Sequence, residues 1–234
     1  MRIQSLEHEK FEGLANIESW AKKKDHCISR TLLFNKEDLP GIDEFDWLVI
    51  MGGSMNIYEE EKYPWLAHEK NFIAEAIENQ KTVLGVCLGS QLIADVLGVK
   101  VSKNKHKEIG WFPVTLTKEA TTSPIFGSFP PRFTAFHWHG DTFEIPRGAV
   151  RIAQSKACTN RAFEYRKTIG LQFHLEYSAN SIDLMFRNCG NEIVEGRYIQ
   201  KPDEIISQNI NVVETQRLLN LLLDNMEKEL GMPQ

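Results

Sequence analysis

The feature that most constrains the fold is residues 82–92, where an apolar run passes through small residues into a second apolar pattern. Residues 83–86 are continuously apolar, which is typical of a strand buried on both faces of a sheet. Gly85 and Gly89 flank Cys87 two residues away on either side, so two positions lack a Cβ where the chain must bend. The segment therefore predicts a buried strand, a tight turn with a cysteine at its apex, and a helix.

Cys87 has two interpretations at this position. In the first, the N–H groups that begin the following helix favour a thiolate, and the sharp strand-to-helix turn presents it as a nucleophile. In the second, Cys87 is a small apolar residue in the core of a parallel sheet, as free cysteines often are. The segment alone leaves both open.

Strand and helix patterns alternate through the first part of the chain. They predict, in order, a strand at 2–6, a helix at 11–24, strands at 27–34 and 47–51, a helix at 65–79, and the strand and helix around Cys87. This β-α-β-β-α-β-α order with crossover helices predicts an α/β fold. We expect a three-layer sandwich in which helices cover both faces of a mostly parallel central sheet.

The segment from 99 to 173 changes character, because short β runs are interrupted there by glycine and proline. It predicts the remaining sheet strands together with a small antiparallel flap. The runs are 111–116, 133–137, 150–155, 162–165 and 169–173, and helices are expected again at 181–195 and 212–230. No repeat, low-complexity tract or linker interrupts the chain, so residues 1–234 are expected to form a single domain.

Two further segments follow predicted strands, at the edge of an α/β sheet where ligands bind. Gly52 and Gly53 can turn their backbone N–H groups toward an anion, as an oxyanion hole requires, although a Gly-Gly pair also makes plain tight turns. His174 and Glu176 lie two residues apart on one face of a strand. The carboxylate there would orient the imidazole as a base for a thiol, or the two side chains would simply cap the strand end.

Composition excludes several classes of function. The net charge is −5 and no basic stripe is present, which argues against nucleic-acid binding. No apolar run approaches the length of a membrane span, and residues 1–10 lack the apolar core of a signal peptide. The cysteines at 27, 87, 158 and 189 are far apart and form no CxxC pair, so we expect no metal site, no cofactor and a reducing, cytoplasmic location.

Taken together, the three segments resemble the class I glutamine amidotransferase family, which uses a Cys-His-Glu triad. Residues 85–91 match its G-x-C-x-G-x-Q signature, residues 173–176 are similar to its F-H-P-E segment, and residues 51–54 are similar to its oxyanion loop. The likeness runs from the first strand to at least Ser178 and is nearest to stand-alone relatives of the amidotransferase domain of GMP synthase. It implies a flavodoxin-like fold forming one type 1 amidotransferase domain.

The resemblance also implies roles for individual residues. Cys87 would be the nucleophile, His174 its base and later the acid, and Glu176 the carboxylate that orients His174. The backbone N–H groups of Gly53 and Leu88 would hold the oxyanion. The substrate-binding residues implied are Gly52, Ser54, Tyr58, Gln91, Trp138 and His139. Leu175 and Ser54 depart from the family, which has proline between the triad histidine and glutamate and often proline in the oxyanion loop.

The reaction expected from this resemblance is hydrolysis of the γ-amide of glutamine, or of a γ-glutamyl amide, through a Cys87 thioester. Because the chain has no P-loop and nothing like an acceptor-activating synthetase, the ammonia would pass to a separate synthetase partner chain. An alternative is a γ-glutamyl peptidase-type hydrolase acting on γ-glutamyl peptides or amines. A second alternative is a non-catalytic regulatory subunit that binds glutamine.

Overall fold

The computed structural model describes residues 1–231, and in this range the strands form one nine-stranded sheet. The strands are β1 (Arg2–Glu7), β2 (Cys27–Leu32), β3 (Trp47–Ile50), β4 (Thr82–Val86), β5 (Val101–Leu116), β6 (Arg132–Phe143), β7 (Val150–Gln154), β8 (Ala162–Tyr165) and β9 (Thr168–Leu171). Their spatial order is β2-β1-β3-β4-β9-β8-β7-β5-β6.

The sheet consists of two halves that pair differently. From β2 to β9 the neighbouring strands are parallel. From β9 to β6 they are antiparallel. The predicted α/β class is confirmed, but within residues 1–231 the sheet is mixed, with as many antiparallel as parallel pairs, rather than mostly parallel.

The predicted small flap is thus the second half of the sheet itself. Its largest part is the hairpin of β5 and β6, which are sixteen and twelve residues long. The sequence interpretation placed only residues 111–116 of β5 in a strand, because lysines alternate with polar residues between 103 and 107. A strand is identified from sequence by apolar residues that alternate with polar ones. Where lysines alternate with other polar residues instead, the same strand is mistaken for a loop.

The helices are α1 (Asn16–Lys23), α2 (Trp65–Glu78), α3 (Leu88–Val96), α4 (Ala179–Cys189), α5 (Pro202–Ser207) and α6 (Ile210–Leu230). Short 3-10 turns occur at Leu33–Asn35, Ile42–Glu44, Glu119–Thr122 and Gly190–Glu192. Sequence patterns predicted these α-helices apart from α5, whose start is marked by Pro202 and an acidic first turn. α1 begins five residues later than predicted, at Asn16, and α4 ends at Cys189 rather than near 195.

Alternation along the buried strands assigns side chains to two separate cores. On β3, Trp47 and Val49 point to the face that α1 and α6 cover. Leu48 and Ile50 point to the opposite face, which α2 and α3 cover. The three layers follow from this division, since each residue of β3 is buried on one side of the sheet or the other.

The broad apolar face of α6 packs inside the molecule over most of its length. Its buried side chains are Thr215, Leu218, Leu219, Leu222, Leu223 and Met226. Only its first turns leave large apolar side chains exposed, at Ile210 and Val213. No helix within residues 1–231 is long and apolar enough to cross a membrane.

Candidate active site

Cys87 lies at the turn between β4 and α3, where it is the N-cap residue of the helix. Its backbone has φ 51° and ψ −106°, a conformation that a residue with a side chain rarely adopts. The Cys87 N–H donates to the carbonyl of Leu171 on β9 over 2.7 Å, which fixes the turn to the neighbouring strand. The predicted strand-to-helix elbow is therefore present, with backbone strain concentrated at the cysteine.

The two glycines that flank Cys87 allow α3 to pack tightly against the sheet. A Cβ at Gly89 would overlap the backbone carbonyl of Ile50 at the end of β3. A Cβ at Gly85 would lie 2.6 Å from the carbonyl carbon of Gly89. The spacing of glycines around the cysteine is thus a packing requirement: it brings the first turn of the helix onto the strand ends.

The thiol of Cys87 is only 7% exposed and has polar neighbours on two sides. It donates to the carbonyl of Trp138 over 3.7 Å, and the side-chain amide of Gln172 donates to it over 3.7 Å. Burial raises the pKa of Cys87, while the adjacent His174 acts to lower it and does not fully compensate. Burial therefore favours the protonated thiol, and its deprotonation needs a base beside it.

His174 and Glu176 form a buried pair after the end of β9. Nδ1 of His174 donates to Oε1 of Glu176 over 2.6 Å, and both side chains are 1% exposed. Burial acts to lower the pKa of His174, but the Glu176 carboxylate and the Cys87 thiol outweigh it and raise that pKa well above its ordinary value. Among the described residues, Nε2 of His174 has no hydrogen-bond partner of good geometry, so it is left to exchange a proton with the thiol.

The Gly52–Gly53 loop lies directly against the elbow. A Cβ at Gly53 would come within 2.9 Å of a methyl group of Leu88, the first residue of α3. A Cβ at Gly52 would overlap the carboxylate of Glu12 on the other side of the loop. A side chain at either position would have to displace these neighbours, and the N–H groups of Gly53 and Leu88 belong to neighbouring stretches of backbone.

The cysteine elbow and the glycine loop border a cleft of about 500 Å³. Of the residues predicted from the sequence, its lining contains Gly53, Ser54, Cys87, Leu88, Gln91, Trp138 and His139. The predicted residues outside this lining are Gly52, Tyr58 and the buried pair of His174 and Glu176. The carbonyl of Gly52 faces His8 instead, and Tyr58 is 54% exposed with its hydroxyl donating to Asp141 over 3.0 Å.

Three residues at the cleft were missed by the sequence interpretation. Gln172 is fully buried and accepts from the side-chain amide of Gln91 over 3.1 Å, linking Gln91 to the thiol. Asp141 lines the cleft and is held by Tyr58. Glu12 lines it too, and accepts from the hydroxyl of Tyr177 over 2.9 Å.

Glu12 is a buried carboxyl group that interacts with His174 and Glu176. Burial raises its pKa, and the nearby His174 acts in the opposite direction. Glu12 follows the carboxyl end of β1, the same edge of the sheet on which the other site residues lie. A search for polar residues after every predicted parallel strand would have included it.

Trp138 and His139 come from β6 and form a wall of the cleft. Nδ1 of His139 donates to the carbonyl of Asp141 over 2.9 Å, and its Nε2 lies 3.1 Å from a carboxylate oxygen of Glu108. Glu108 is also ion-paired with Arg161, and the side chains of both are fully buried. His139 is thus held between the cleft and a buried ion pair. Among residues 1–231 no group of three or more His, Cys, Asp or Glu side chains could hold a metal ion.

Comparisons with known proteins match the chain to one family. The family model "Glutamine amidotransferase class-I" matches residues 22–192. The chain is 31% identical to the glutamine amidotransferase-like protein YfeJ of Salmonella typhimurium, covering 89% of this chain and 91% of that one. It is 30% identical to one subunit of the glutamine-hydrolyzing GMP synthase of Thermoplasma acidophilum, over 78% of this chain and 89% of that one. A crystal structure of a glutamine amidotransferase from Thermotoga maritima superposes with a TM-score of 0.88 at 33% identity, covering 97% of each chain.

Proposed function

The chain belongs to the class I glutamine amidotransferase family, and we propose that it hydrolyses the γ-amide of glutamine through a thioester on Cys87. The observation that carries this proposal is that a strained cysteine elbow lines a cleft and contacts a buried His174–Glu176 pair. In this arrangement a base of raised pKa adjoins a thiol that burial keeps protonated. Proton transfer between them is what produces a nucleophile.

The first chemical step is attack on the γ-carbonyl carbon. His174 takes the thiol proton on Nε2, and Sγ of Cys87 forms a bond to the carbon as the carbonyl oxygen becomes an oxyanion. The N–H groups of Gly53 and Leu88 stabilise that oxygen. Glu176 keeps the proton on Nδ1 of His174, so that Nε2 is the nitrogen that receives the second proton.

The second step releases ammonia. The C–N bond breaks as His174 returns its Nε2 proton to the leaving nitrogen, which leaves a γ-glutamyl thioester on Cys87. A water molecule then loses a proton to His174 and attacks the thioester carbon through a second oxyanion. Collapse of this intermediate yields glutamate and restores the Cys87 thiol.

We assign substrate binding to the side chains and backbone that line the cleft around the thiol. Gln91 and His139 line the cleft, and the backbone between Trp138 and Asp141 passes close to the thiol. The carbonyl and N–H groups of this stretch suit the ammonium and carboxylate of an amino-acid substrate. Ser54 and Tyr58 would contribute from the oxyanion-loop side, Ser54 in the lining and Tyr58 through Asp141.

A substrate panel with glutamate and ammonia measured in the same sample tests this proposal. Equal release of both from glutamine is the expected result, and Cys87→Ala is expected to release neither. Tight glutamine binding without turnover in the unmodified protein would instead support the glutamine-binding regulatory role. Glutamate release from γ-glutamyl peptides, with little ammonia from glutamine, would support a peptidase.

One observation favours the γ-glutamyl peptidase as a second candidate. The cleft continues past the thiol to Lys103 and Lys107 on β5, and Lys107 pairs with Glu192 over 2.7 Å. Because Lys107 is already paired with Glu192, Lys103 is the ammonium group that suits a leaving amine carrying a carboxylate, as in a γ-glutamyl amino acid. We expect Lys103→Met to raise KM for γ-glutamyl amino acids while leaving hydrolysis of glutamine and of uncharged γ-glutamyl amines unchanged.

A separate synthetase chain would be the recipient of ammonia. The support is the likeness to a chain of a glutamine-hydrolyzing GMP synthase that is divided into subunits. The test is to add the chain to ammonia-dependent synthetases from the same organism and to measure glutamine-dependent product. A partner is expected to increase glutamine turnover, whereas a free glutaminase would keep the same rate with every synthetase.

A further inference from the structure

A buried histidine–glutamate pair lies behind the oxyanion loop, outside the triad. His8 follows directly after β1, and Glu69 lies on α2. Both side chains are completely buried, with Nε2 of His8 2.8 Å from Oε1 of Glu69. The other ring nitrogen, Nδ1, lies 2.9 Å from the carbonyl oxygen of Gly52. The sequence interpretation assigned no role to either residue.

The partners of His8 determine where its protons are. A carbonyl oxygen only accepts hydrogen bonds, so Nδ1 must carry the hydrogen that faces Gly52. Burial acts to lower the pKa of His8, but the Glu69 carboxylate outweighs it, and the pKa is raised. Glu12 is the next carboxyl group that acts on the ring. His8 is therefore held as a donor to the loop.

The planar peptide bond links the contact between His8 and the Gly52 carbonyl to the direction of the Gly53 N–H. In a trans peptide the carbonyl of Gly52 and the N–H of Gly53 point in opposite directions in one plane. With the carbonyl turned to His8, away from the cleft, the Gly53 N–H is turned toward the cleft. Because both residues are glycines, the peptide between them would rotate at little steric cost without such an anchor.

We propose that His8, oriented by Glu69, is a positioning residue that fixes the Gly52–Gly53 peptide so that the Gly53 N–H is ready to bind the oxyanion. The inference rests on the proposed function, since it concerns the transition state of that hydrolysis. His8 touches neither substrate nor nucleophile and acts only through the peptide. It differs from a residue that merely fills the core, because its effect is confined to reactions that form an oxyanion.

Three substitutions separate these roles. Asn at position 8 places an amide nitrogen near that of Nδ1 and keeps the donor to Gly52, whereas Gln places it nearer Nε2 and keeps only the contact with Glu69. His8→Leu removes both. Since loss of a whole oxyanion donor costs about a hundredfold to a thousandfold in kcat, we expect at least a roughly tenfold loss in His8→Gln and His8→Leu with KM nearly unchanged. His8→Asn is expected to recover most of kcat.

Two further measurements on the same variants distinguish an effect on oxyanion binding from an effect on the reactivity of the thiol. The γ-aldehyde analogue of glutamine adds to Cys87 to give a tetrahedral adduct with an oxygen in the oxyanion position, so its affinity is expected to fall in parallel with kcat. Alkylation of Cys87 by iodoacetamide forms no oxyanion, and its rate is expected to stay within about twofold. Thermal melting of each variant checks that it is folded.

The outcomes are distinguishable. Equal kcat in His8→Asn and His8→Gln, or an aldehyde affinity that falls no more than the alkylation rate, would overturn the positioning role while leaving the hydrolase intact. If His8→Leu fails to fold, the comparison of the Asn and Gln variants still decides. A wild-type chain that is alkylated at Cys87 but neither hydrolyses γ-glutamyl amides nor binds the aldehyde would overturn the proposed function, and this inference with it.

Discussion

The two halves of the sheet contribute different things to the site. The parallel half, β2-β1-β3-β4-β9, ends in the cysteine elbow, the Gly52–Gly53 loop and the His174–Glu176 segment. The antiparallel half, β8-β7-β5-β6, contributes the wall around Trp138 and the buried Glu108–Arg161 ion pair. Groups proposed to react follow the ends of parallel strands, while groups proposed to shape the cleft lie within long antiparallel strands.

Besides the pairing of β8 with β9, a backbone contact between the two halves lies at the proposed base. His174 and Phe136 of β6 form an isolated bridge, in which the N–H of His174 donates to the carbonyl of Phe136 over 2.9 Å. The wall therefore fixes the backbone of the proposed base as well as shaping the cleft. This comparison predicts large kinetic effects from the parallel half and mainly structural effects from the antiparallel half.

The largest expected effect comes from Cys87→Ala in the parallel half. Removal of the nucleophile is expected to lower kcat by about 10⁴-fold or more, measured as glutamate release from glutamine. The matched control is Cys158→Ala, because Cys158 is also buried but lies near the antiparallel half. We expect this control to keep nearly full activity, and a comparable loss in both variants would contradict the division between the halves.

Selective labelling provides an independent check on the same residue. Cys189 also lines the cleft, but burial raises its pKa to about 11, and no base adjoins it among the described side-chain contacts. A γ-glutamyl chloroketone is expected to modify Cys87 and to leave Cys189 and the exposed Cys27 unmodified, as read by peptide mass mapping. Modification at Cys189 in place of Cys87 would reject the assignment of the nucleophile.

The next largest effect is expected from Glu176→Gln. The carboxylate raises the pKa of His174, against the effect of burial, so a neutral amide is expected to lower it. Loss of an orienting carboxylate in a triad costs up to about 10⁴-fold in kcat, and we expect at least a hundredfold loss here.

The dependence of kcat/KM on pH in Glu176→Gln shows in which direction Glu176 shifts the pKa values of the Cys87–His174 pair. The active form of the Cys87–His174 pair shares one proton, and the Glu176 charge makes removal of either proton from the pair harder. Without that charge, both the acidic and the alkaline limbs of kcat/KM are expected to move to lower pH. A shift of either limb to higher pH would contradict the role of Glu176.

In the antiparallel half we expect Arg161→Met to act on stability. It leaves the Glu108 carboxylate buried without its ion-pair partner, which is expected to lower the free energy of unfolding by about 3–5 kcal/mol in urea titration. The double variant with Glu108→Leu removes both charges and is expected to recover much of that loss. If the double variant is as unstable as Arg161→Met alone, the unpaired charge is not the cause.

The smallest expected effect comes from Arg217→Ala on the surface of α6. Arg217 pairs with Glu214 over 2.7 Å, but both side chains are largely exposed, so water and salt already screen the pair. The midpoint of urea unfolding is expected to stay unchanged within error. A clear loss of stability here would show that exposed ion pairs also contribute to the free energy of unfolding. Burial would then not explain the larger effect expected of Arg161→Met.

Much of the parallel half could be predicted from the sequence, because its signals are local. The strand, the glycine spacing and the cysteine of residues 82–92 are contiguous, and His174 and Glu176 are two residues apart. Buried parallel strands also read as continuous apolar runs, so their positions were predicted to within about two residues.

The missed features depend on contacts between distant parts of the chain. His8 meets Gly52 and Glu69, and Glu12 meets Tyr177, only after the sheet has assembled. The charged alternation of β5 concealed a strand whose one face is exposed, and so the extent of antiparallel pairing was underestimated. Local patterns identify side chains with chemistry of their own, but not side chains that act by holding a distant backbone.

The position of β9 in the sheet has a consequence for biosynthesis. β4 pairs with β3 on one side and with β9 on the other, but β9 is translated long after β4, following the whole β5–β8 region. While the nascent chain emerges from the ribosome, the apolar β4 therefore keeps one open hydrogen-bonding edge, which favours pairing with other chains. Chaperone demand should peak in that interval. Because His174 is made after β9, a partly synthesised chain carries the proposed nucleophile without the proposed base.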